Sequence, residues 1–292
     1  MSLLGFSAGL PLLLIFSTLS VWLVKAGVER STITLFSWAG FAYSFKFLWT
    51  PIVDHYRLPL LSKIGHRKSW LLLSQILIII SIFITSYSDP SKNLLYTAIG
   101  IVLIAFASAT QDIVIDAFRI ESEPIQKQGA LSSMYLAGYR IAMIVSGAGS
   151  LWLASYFGVD VYNANTWKKV YQIMGCLMLI GVVTTLFSKE PTVHKVKNKK
   201  TSNSIKFLMS LIVAIAIFFV TYNLIPKIFT NESIFLNSLD ALLRIGISFG
   251  GSLFILSLLS KIKFISIKKV KLSYIDPIQD FISRYKKVAI LI

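Results

Sequence analysis

The sequence predicts an all-α integral membrane protein: a six-helix block followed by two additional transmembrane helices. Of its 292 residues, 55% are hydrophobic and only 14% are charged, whereas a typical soluble domain has about 25% charged residues. The apolar residues form eight runs, each close to the roughly 20 residues that a helix needs to cross a hydrocarbon core about 30 Å thick. Most of the charged residues lie between these runs.

The eight predicted spans divide the chain into four segments. We place the spans at residues 2–24, 32–53, 69–88, 94–120, 128–158, 168–188, 207–226 and 239–260. The segments are a six-helix block at 1–188, a basic cytoplasmic linker at 189–206, two extra transmembrane helices within 207–260 and a basic cytoplasmic tail at 261–292.

The Lys and Arg residues are distributed unevenly between the two sides of the predicted bundle. Of the 29, 20 lie in the connections after the even-numbered spans, six lie in the opposite connections and three lie inside spans. The positive-inside rule therefore predicts a cytoplasmic N-terminus. A net charge of +16 would suggest nucleic acid as the partner of a soluble protein, but topology explains it here. We expect contact with the lipid bilayer and no nucleic acid.

The sequence offers little for catalysis or metal binding. One cysteine, Cys176, lies within an apolar run, which excludes an internal disulfide and a cysteine metal cluster. The three histidines lie in loops and have no ligand-like neighbour four residues on. We find no Gly-rich phosphate loop, nucleophile elbow or catalytic-triad spacing. We therefore expect no enzyme, no catalytic residues, no metal and no cofactor.

Two carboxylates lie inside the fourth span. Asp112 and Asp116 are four residues apart, so they share one face of a helix. A carboxylate well inside a membrane helix costs about 2.5 to 3.5 kcal/mol on insertion scales, and it needs a partner, water or a proton. Such carboxylates usually mark a transport pathway. We expect Asp112 to matter more than Asp116, because it lies one turn further from the cytoplasmic interface.

Two cations lie in neighbouring spans. Lys46 and Asp112 each lie about eight residues, or about 12 Å, from the cytoplasmic end of their spans, which predicts a similar depth in the membrane. Arg140 lies about 12 residues into the fifth span. Two cations and two carboxylates can nearly neutralise one another, either along a transport pathway or as a structural ion-pair network that holds the helices in register.

The turn between the second and third spans carries charge at both ends. Asp54 ends one span, and Arg67 and Lys68 begin the next. This arrangement resembles the signature loop of the major facilitator superfamily, which acts there as a conformational latch and not as a substrate site. Plain topology charges are the alternative for Arg67.

Four separated motifs carry a more specific resemblance. In chain order they are Gly5-Phe-Ser-Ala-Gly-Leu-Pro11, Phe45-Lys-Phe-Leu-Trp49, Gln111-Asp-Ile-Val-Ile-Asp-Ala117 and Gly138-Tyr-Arg140. Over about residues 1–190 the chain resembles the AmpG muropeptide permease family, whose members belong to the major facilitator superfamily.

The resemblance implies proton-coupled import of anhydro-muropeptides across the inner membrane of a bacterium, with the proton gradient as the coupling ion source. Residues 1–188 would be the N-terminal six-helix half of such a transporter. Lys46 and Arg140 would pair with substrate carboxylates, and Asp112 or Asp116 would carry the proton. Gln111, in the same motif, joins these as a candidate for proton coupling or substrate binding.

Family members have two six-helix halves, and residues beyond 206 depart from that pattern. The spans at 207–226 and 239–260 do not match the family, and residues 275–284 resemble the lead-in to a second half. We therefore expect a chain truncated after its first half. Three hypotheses follow: a working symporter that uses a separate chain for the second half, an inactive relic, or a membrane scaffold or sensor without transport.

Overall fold

The computed structural model describes residues 1–59, 61–158, 162–191, 213, 216–226 and 234–261. Throughout these residues the regular structure is helical, so the all-α prediction is confirmed. The chain forms two compact units, Met1–Val196 and Lys197–Ile292. The unit boundary falls within the predicted linker, most of which lies outside the described residues, as does the predicted tail at 262–292.

The first unit contains eleven α-helices within its described residues. They are α1 (Ser2–Ile15), α2 (Ser17–Lys25), α3 (Arg30–Leu35), α4 (Phe41–Ser44), α5 (Thr50–His55), α6 (His66–Ser86), α7 (Leu94–Ser122), α8 (Gln128–Ile144), α9 (Ser150–Phe157), α10 (Ala164–Leu177) and α11 (Leu179–Phe187). Short 3₁₀ turns cover Phe36–Gly40, Lys46–Leu48, Ser62–Ile64 and Ile125–Lys127, and a π-helical turn at Val145–Gly149 joins α8 to α9.

Five helical stretches in the described residues are long and apolar enough to cross a membrane. They are Ser2–Lys25, His66–Ser86, Leu94–Ser122, Ile125–Phe157 and Ala164–Phe187. They coincide with the first, third, fourth, fifth and sixth predicted spans, and the second predicted span is not among them.

The second predicted span is a series of short helices, α3, α4 and α5, with 3₁₀ turns between them. Its last break has a local cause. Pro51 has no N–H to continue an α-helix, and the Thr50 hydroxyl donates to the Lys46 carbonyl at 3.0 Å, which competes with the backbone bond. A hydropathy window does not detect this break, because the residues around it remain apolar.

Helices α1 and α8 approach each other closely enough for backbone contact. A Cβ placed on Gly5 would overlap the Tyr135 carbonyl, and one on Gly9 would overlap the Tyr139 carbonyl. In the reverse direction, a Cβ on Gly138 would overlap the Ser2 carbonyl. The Gly5–Gly9 spacing predicts this approach, since small residues four apart let helix backbones meet. The contact fixes where α8 presents Tyr135 and Tyr139.

Aromatic and polar groups join the helices at the end opposite Arg67. The Trp22 ring, fully buried, stacks on Trp167 with ring centroids 5.8 Å apart. Its Nε1 lies 3.4 Å from the Tyr162 hydroxyl, which donates to Asp89 Oδ1 at 2.8 Å. Partial burial acts to raise the pKa of Asp89, but hydrogen bonds from Ser91 and Tyr162 outweigh it and the pKa is lowered.

In the second unit the described residues include helical residues 216–224, labelled α12, and α13 (Ile234–Lys261). Arg244 on α13 links the two, because its Nη2 donates to the Tyr222 carbonyl at 2.8 Å and its guanidinium lies 4.5 Å from the centre of the Tyr222 ring. Arg244 Nη1 also lies 3.9 Å from Asp240 Oδ2. That these two helices span a membrane stays a prediction.

The α1–α8 contact generates a stability prediction from two glycines of the same helix. We expect Gly138→Ala to lower the unfolding free energy by about 1–3 kcal/mol, the usual cost of overpacking. Gly129→Ala is the matched control. A Cβ there meets nothing within 4 Å, so Ala should be neutral or slightly stabilising. Thermal unfolding of the purified protein in detergent measures both, and equal midpoints for the two variants would contradict the prediction.

The Asp89 cluster generates a pH prediction. A carboxyl whose pKa is lowered on folding stabilises the fold at pH values above its ordinary range, and this contribution is lost as the pH falls below about 4. We therefore expect acidification from about pH 5 to about pH 3 to lower the unfolding midpoint of the unsubstituted protein more steeply than the unfolding midpoint of Asp89→Asn. Superimposable pH profiles would show that Asp89 makes no such contribution.

Candidate functional site

The centre of the candidate site is Asp112 on α7. Its side chain is 12% exposed, and its Oδ2 lies 4.0 Å from the Nζ of Lys46. Its other oxygen, Oδ1, is buried and has no hydrogen-bond partner among the described residues. The structure thus brings Lys46 and Asp112 together, but at the outer limit of an ion pair, with half of the carboxylate left without a hydrogen bond.

Three tyrosines surround this carboxylate. Tyr43 on α4, and Tyr135 and Tyr139 on α8, all interact electrostatically with Asp112. The rings of Tyr135 and Tyr139 lie 5.9 Å apart, and both pack against the smaller of the two buried clusters of the first unit. None of the three was predicted as a site residue from the sequence, although Tyr139 lies within the Gly138-Tyr-Arg140 motif. The Gly5–Gly9 spacing, which predicts the close contact of α1 with α8, is the feature that could have placed Tyr135 and Tyr139 in the site.

Asp116 differs from Asp112 in both exposure and pairing. Its side chain is 49% exposed, and its Oδ1 accepts a hydrogen bond from Arg119 Nη2, one turn further along α7, at 3.3 Å. Arg119 also donates to Ser132 on α8. The two carboxylates share a helix face, yet Asp116 is solvated and paired locally whereas Asp112 is buried and paired only across helices.

Arg140 lies apart from both carboxylates. It is exposed, its described polar contact is from Nη1 to the sulfur of Met143 at 3.9 Å, and it forms no salt bridge within the described part of the chain. Helix geometry explains the separation. Gly138 faces α1, and two residues further on a side chain points about 200° away. Its predicted pairing with substrate therefore remains a prediction.

Gln111 belongs to a buried polar cluster that joins four helices. Its Nε2 donates to Ser7 Oγ on α1 at 2.6 Å. On the neighbouring helices, Thr185 donates to Gln75 Oε1 at 3.0 Å. A Cβ on Gly181 would overlap Ser7 and lie 3.1 Å from Gln75 Nε2, so the absence of a side chain at this glycine lets the cluster close. Gln111 precedes Asp112 by one position in the chain, yet its contacts lie on a different face of α7.

The predicted latch residues Asp54 and Arg67 are in direct contact. Arg67 Nη1 lies 2.7 Å from Asp54 Oδ1. The same guanidinium binds Glu121, at the end of α7, in bidentate fashion, with Nη2–Oε1 at 2.6 Å and Nε–Oε2 at 2.9 Å. Paired, planar contacts of this kind are the stronger class of charged hydrogen bond. Lys68 Nζ donates to the Leu186 carbonyl at 3.0 Å.

Glu190 adds a fourth element to this network. Its carboxylate accepts the backbone N–H groups of Arg67, at 2.8 Å, and Lys68, at 3.0 Å. It therefore caps the first turn of α6, where negative charge is favourable. Gly65 has a φ of +121°, and a Cβ there would overlap the Glu190 carboxylate. Neither Glu121 nor Glu190 was predicted from the sequence as a member of this network. Their position at span ends, among basic loops, was the available signal.

Comparisons with known proteins point to one family. The Major Facilitator Superfamily profile matches residues 1–272. The anhydromuropeptide permease of Escherichia coli is 39% identical over 191 residues, which are 65% of this chain and 37% of that protein. A Rickettsia felis protein named AmpG 4 is 36% identical over 200 residues, 68% of this chain and 47% of that protein. The chain spans less than half of the length of these relatives.

A stability prediction concerns Glu121 and Glu190, the two carboxylates of the Arg67 network that were not predicted from the sequence. We expect Glu121→Gln and Glu190→Gln each to lower the unfolding free energy by about 1.5–3 kcal/mol, the range for hydrogen bonds to charged groups. The matched control is Glu123→Gln, which disturbs only the exposed pair with Lys127 and should cost less than about 1 kcal/mol. Thermal unfolding measures all three. A control that costs as much as the other two would remove the special role of the network.

Proposed function

Because the chain belongs to the major facilitator superfamily, whose members are transporters and not enzymes, we propose that it forms part of a proton-coupled permease for anhydro-muropeptides in a bacterial inner membrane. The protein is a multi-pass membrane protein related to anhydromuropeptide permeases. The observation that carries the proposal is Asp112, a largely buried carboxylate with one partner at 4.0 Å and one oxygen without a hydrogen bond among the described residues.

The proposed coupling is a competition for Lys46. With Asp112 charged, Lys46 and Asp112 attract each other across the gap between their helices. With a proton on Asp112 that attraction is lost, and Lys46, whose side chain is 34% exposed, is free to pair with a carboxylate of the substrate. Muropeptides carry such carboxylates on their peptide stems. Loading of the proton and of the anionic substrate would then favour each other.

The proposed role of the Arg67 network is to hold the six-helix half together at its cytoplasmic end. The network ties the ends of α5, α7 and α11 to the start of α6. The N-terminus would be cytoplasmic, following the distribution of Lys and Arg. Asp54, Arg67 and Lys68 would form the latch, as in the resemblance, with Glu121 and Glu190 completing it.

Alternating access requires a second half against which the first can rock. In the proposal, this half comes from further residues or from a separate chain. The alternatives without transport, a relic or a scaffold, need neither proton nor substrate at Asp112. A transport assay of the protein together with its second half therefore distinguishes the proposed permease from a relic or a scaffold.

We expect the two carboxylates of α7 to differ in that assay. Asp112→Asn should reduce uptake driven by a proton gradient by about 5- to 150-fold, the range for couplings of 1–3 kcal/mol. It should retain substrate exchange without a gradient, because Asn mimics the neutral carboxyl. Asp116→Asn, at an exposed and locally paired site, should keep most of the driven uptake. Equal losses, or a loss only with Asp116→Asn, would count against Asp112 as the proton carrier.

A further inference from the structure

Three buried polar atoms near Asp112 have no hydrogen-bond partner within the described residues. They are Asp112 Oδ1, Tyr43 Oη and Ser108 Oγ. A buried polar atom without a partner is destabilising, because it has lost its hydrogen bonds to water and gained none in return, and native structures contain few such atoms. Three such atoms lie at one site, and one of them belongs to the proposed proton carrier itself. This clustering indicates that the three groups are suited to a hydrogen-bond arrangement that forms in another protonation state.

The three groups come from two packed elements. Ser108 lies four residues before Asp112 on α7, which puts it on the same helix face one turn away. Helix α4 packs against α7, and this packing brings the Tyr43 hydroxyl close to both Ser108 and Asp112, although none of the three forms a hydrogen bond there among the described residues. Of the three tyrosines around Asp112, only Tyr43 has a buried hydroxyl without a partner in the described part of the chain.

The neighbours of Asp112 differ in which protonation state of its carboxyl group they can bind. The Lys46 ammonium is only a donor, so it can bind the charged carboxylate but cannot accept a hydrogen bond from the O–H of the protonated carboxyl. A hydroxyl is both donor and acceptor. Tyr43 can therefore donate to the Oδ1 of a charged Asp112, and after rotation it can accept from a protonated Oδ1 while donating to Ser108.

We propose that Tyr43, supported by Ser108, is the hydrogen-bond partner of protonated Asp112 and so the positioning residue for the coupling proton. In the loaded form, the Asp112 Oδ1–H donates to Tyr43 Oη, and the Tyr43 hydroxyl donates to Ser108 Oγ. The proton comes from a hydronium ion, which leaves as water, and Tyr43 keeps its own proton throughout. This inference rests on the proposed role of Asp112 as the proton carrier.

Other charged and titratable groups face the same carboxylate from each neighbouring element. Lys46 lies on the segmented second span, Asp116 lies one turn along α7, and Tyr135 and Tyr139 lie on α8. They influence how readily Asp112 takes a proton. They do not provide a buried donor-acceptor pair for Oδ1, which Tyr43 and Ser108 together do.

The test is infrared difference spectroscopy of the purified chain in lipid after a pH jump, in H₂O and D₂O. The carbonyl stretch of protonated Asp112 is assigned as the acid band that Asp112→Asn removes. We expect Tyr43→Phe to move that band to higher frequency, because the neutral acid has lost a hydrogen bond. Ser108→Ala should move it in the same direction by less. Tyr171→Phe is the control, since it removes a buried hydroxyl that donates elsewhere, to the Leu14 carbonyl.

The outcomes separate the inference from the proposed function. If Asp112→Asn removes no acid band, the proposed proton carrier is wrong. If it removes the band but Tyr43→Phe and Ser108→Ala leave the band where it was, the carrier stands and the role of Tyr43 is wrong. A shift as large in Tyr171→Phe would show a general packing effect and also overturn the inference. Should Tyr43→Phe fail to fold, an unmoved band in Ser108→Ala alone would overturn it.

Discussion

The constraint that most shapes the first unit is the cost of placing charge inside an apolar bundle. The unit meets this cost in two ways. Around Arg67, the guanidinium has carboxylate partners from two helices, and Glu190 binds backbone N–H groups beside it. Around Asp112, one oxygen has a distant cation and the other has no hydrogen bond. A network in which every charged group has partners stabilises one arrangement. A group without a hydrogen-bond partner can form a new hydrogen bond in a second arrangement.

The site depends on irregular backbone as much as on side chains. Tyr43 and Lys46 are three residues apart in the segmented second span, where a 3₁₀ turn begins at Lys46. Helix α4, which carries Tyr43, and the 3₁₀ turn both pack against α7, so both residues can face it. On the other side, the glycine contacts of α1 hold the backbone of α8 where Tyr135 and Tyr139 approach Asp112. Pro51 and three glycines thereby determine the surroundings of one carboxylate.

The position of a residue along a helix axis could be predicted from the sequence. The direction in which its side chain points around that axis could not. The proximity of Lys46 to Asp112 could be predicted because depth follows from residue count and rise per residue. The position of Arg140 could not, because its direction depends on which face of α8 packs against α1. Glu121 and Glu190 were missed for a related reason: an acidic residue at a span end looks solvated until tertiary contacts bring Arg67 and the start of α6 to it.

The long distance between Lys46 and Asp112 bears on the proposed coupling. Two opposite charges 4.0 Å apart attract by about 4 kcal/mol at an effective dielectric constant of about 20, and solvent that reaches Lys46 reduces this further. Removing ions from water costs several kcal/mol each, so attraction and desolvation nearly cancel. A balance this close can be reversed by one proton on Asp112 or by one substrate carboxylate at Lys46. A tight, bidentate pair such as Arg67–Glu121 would resist both.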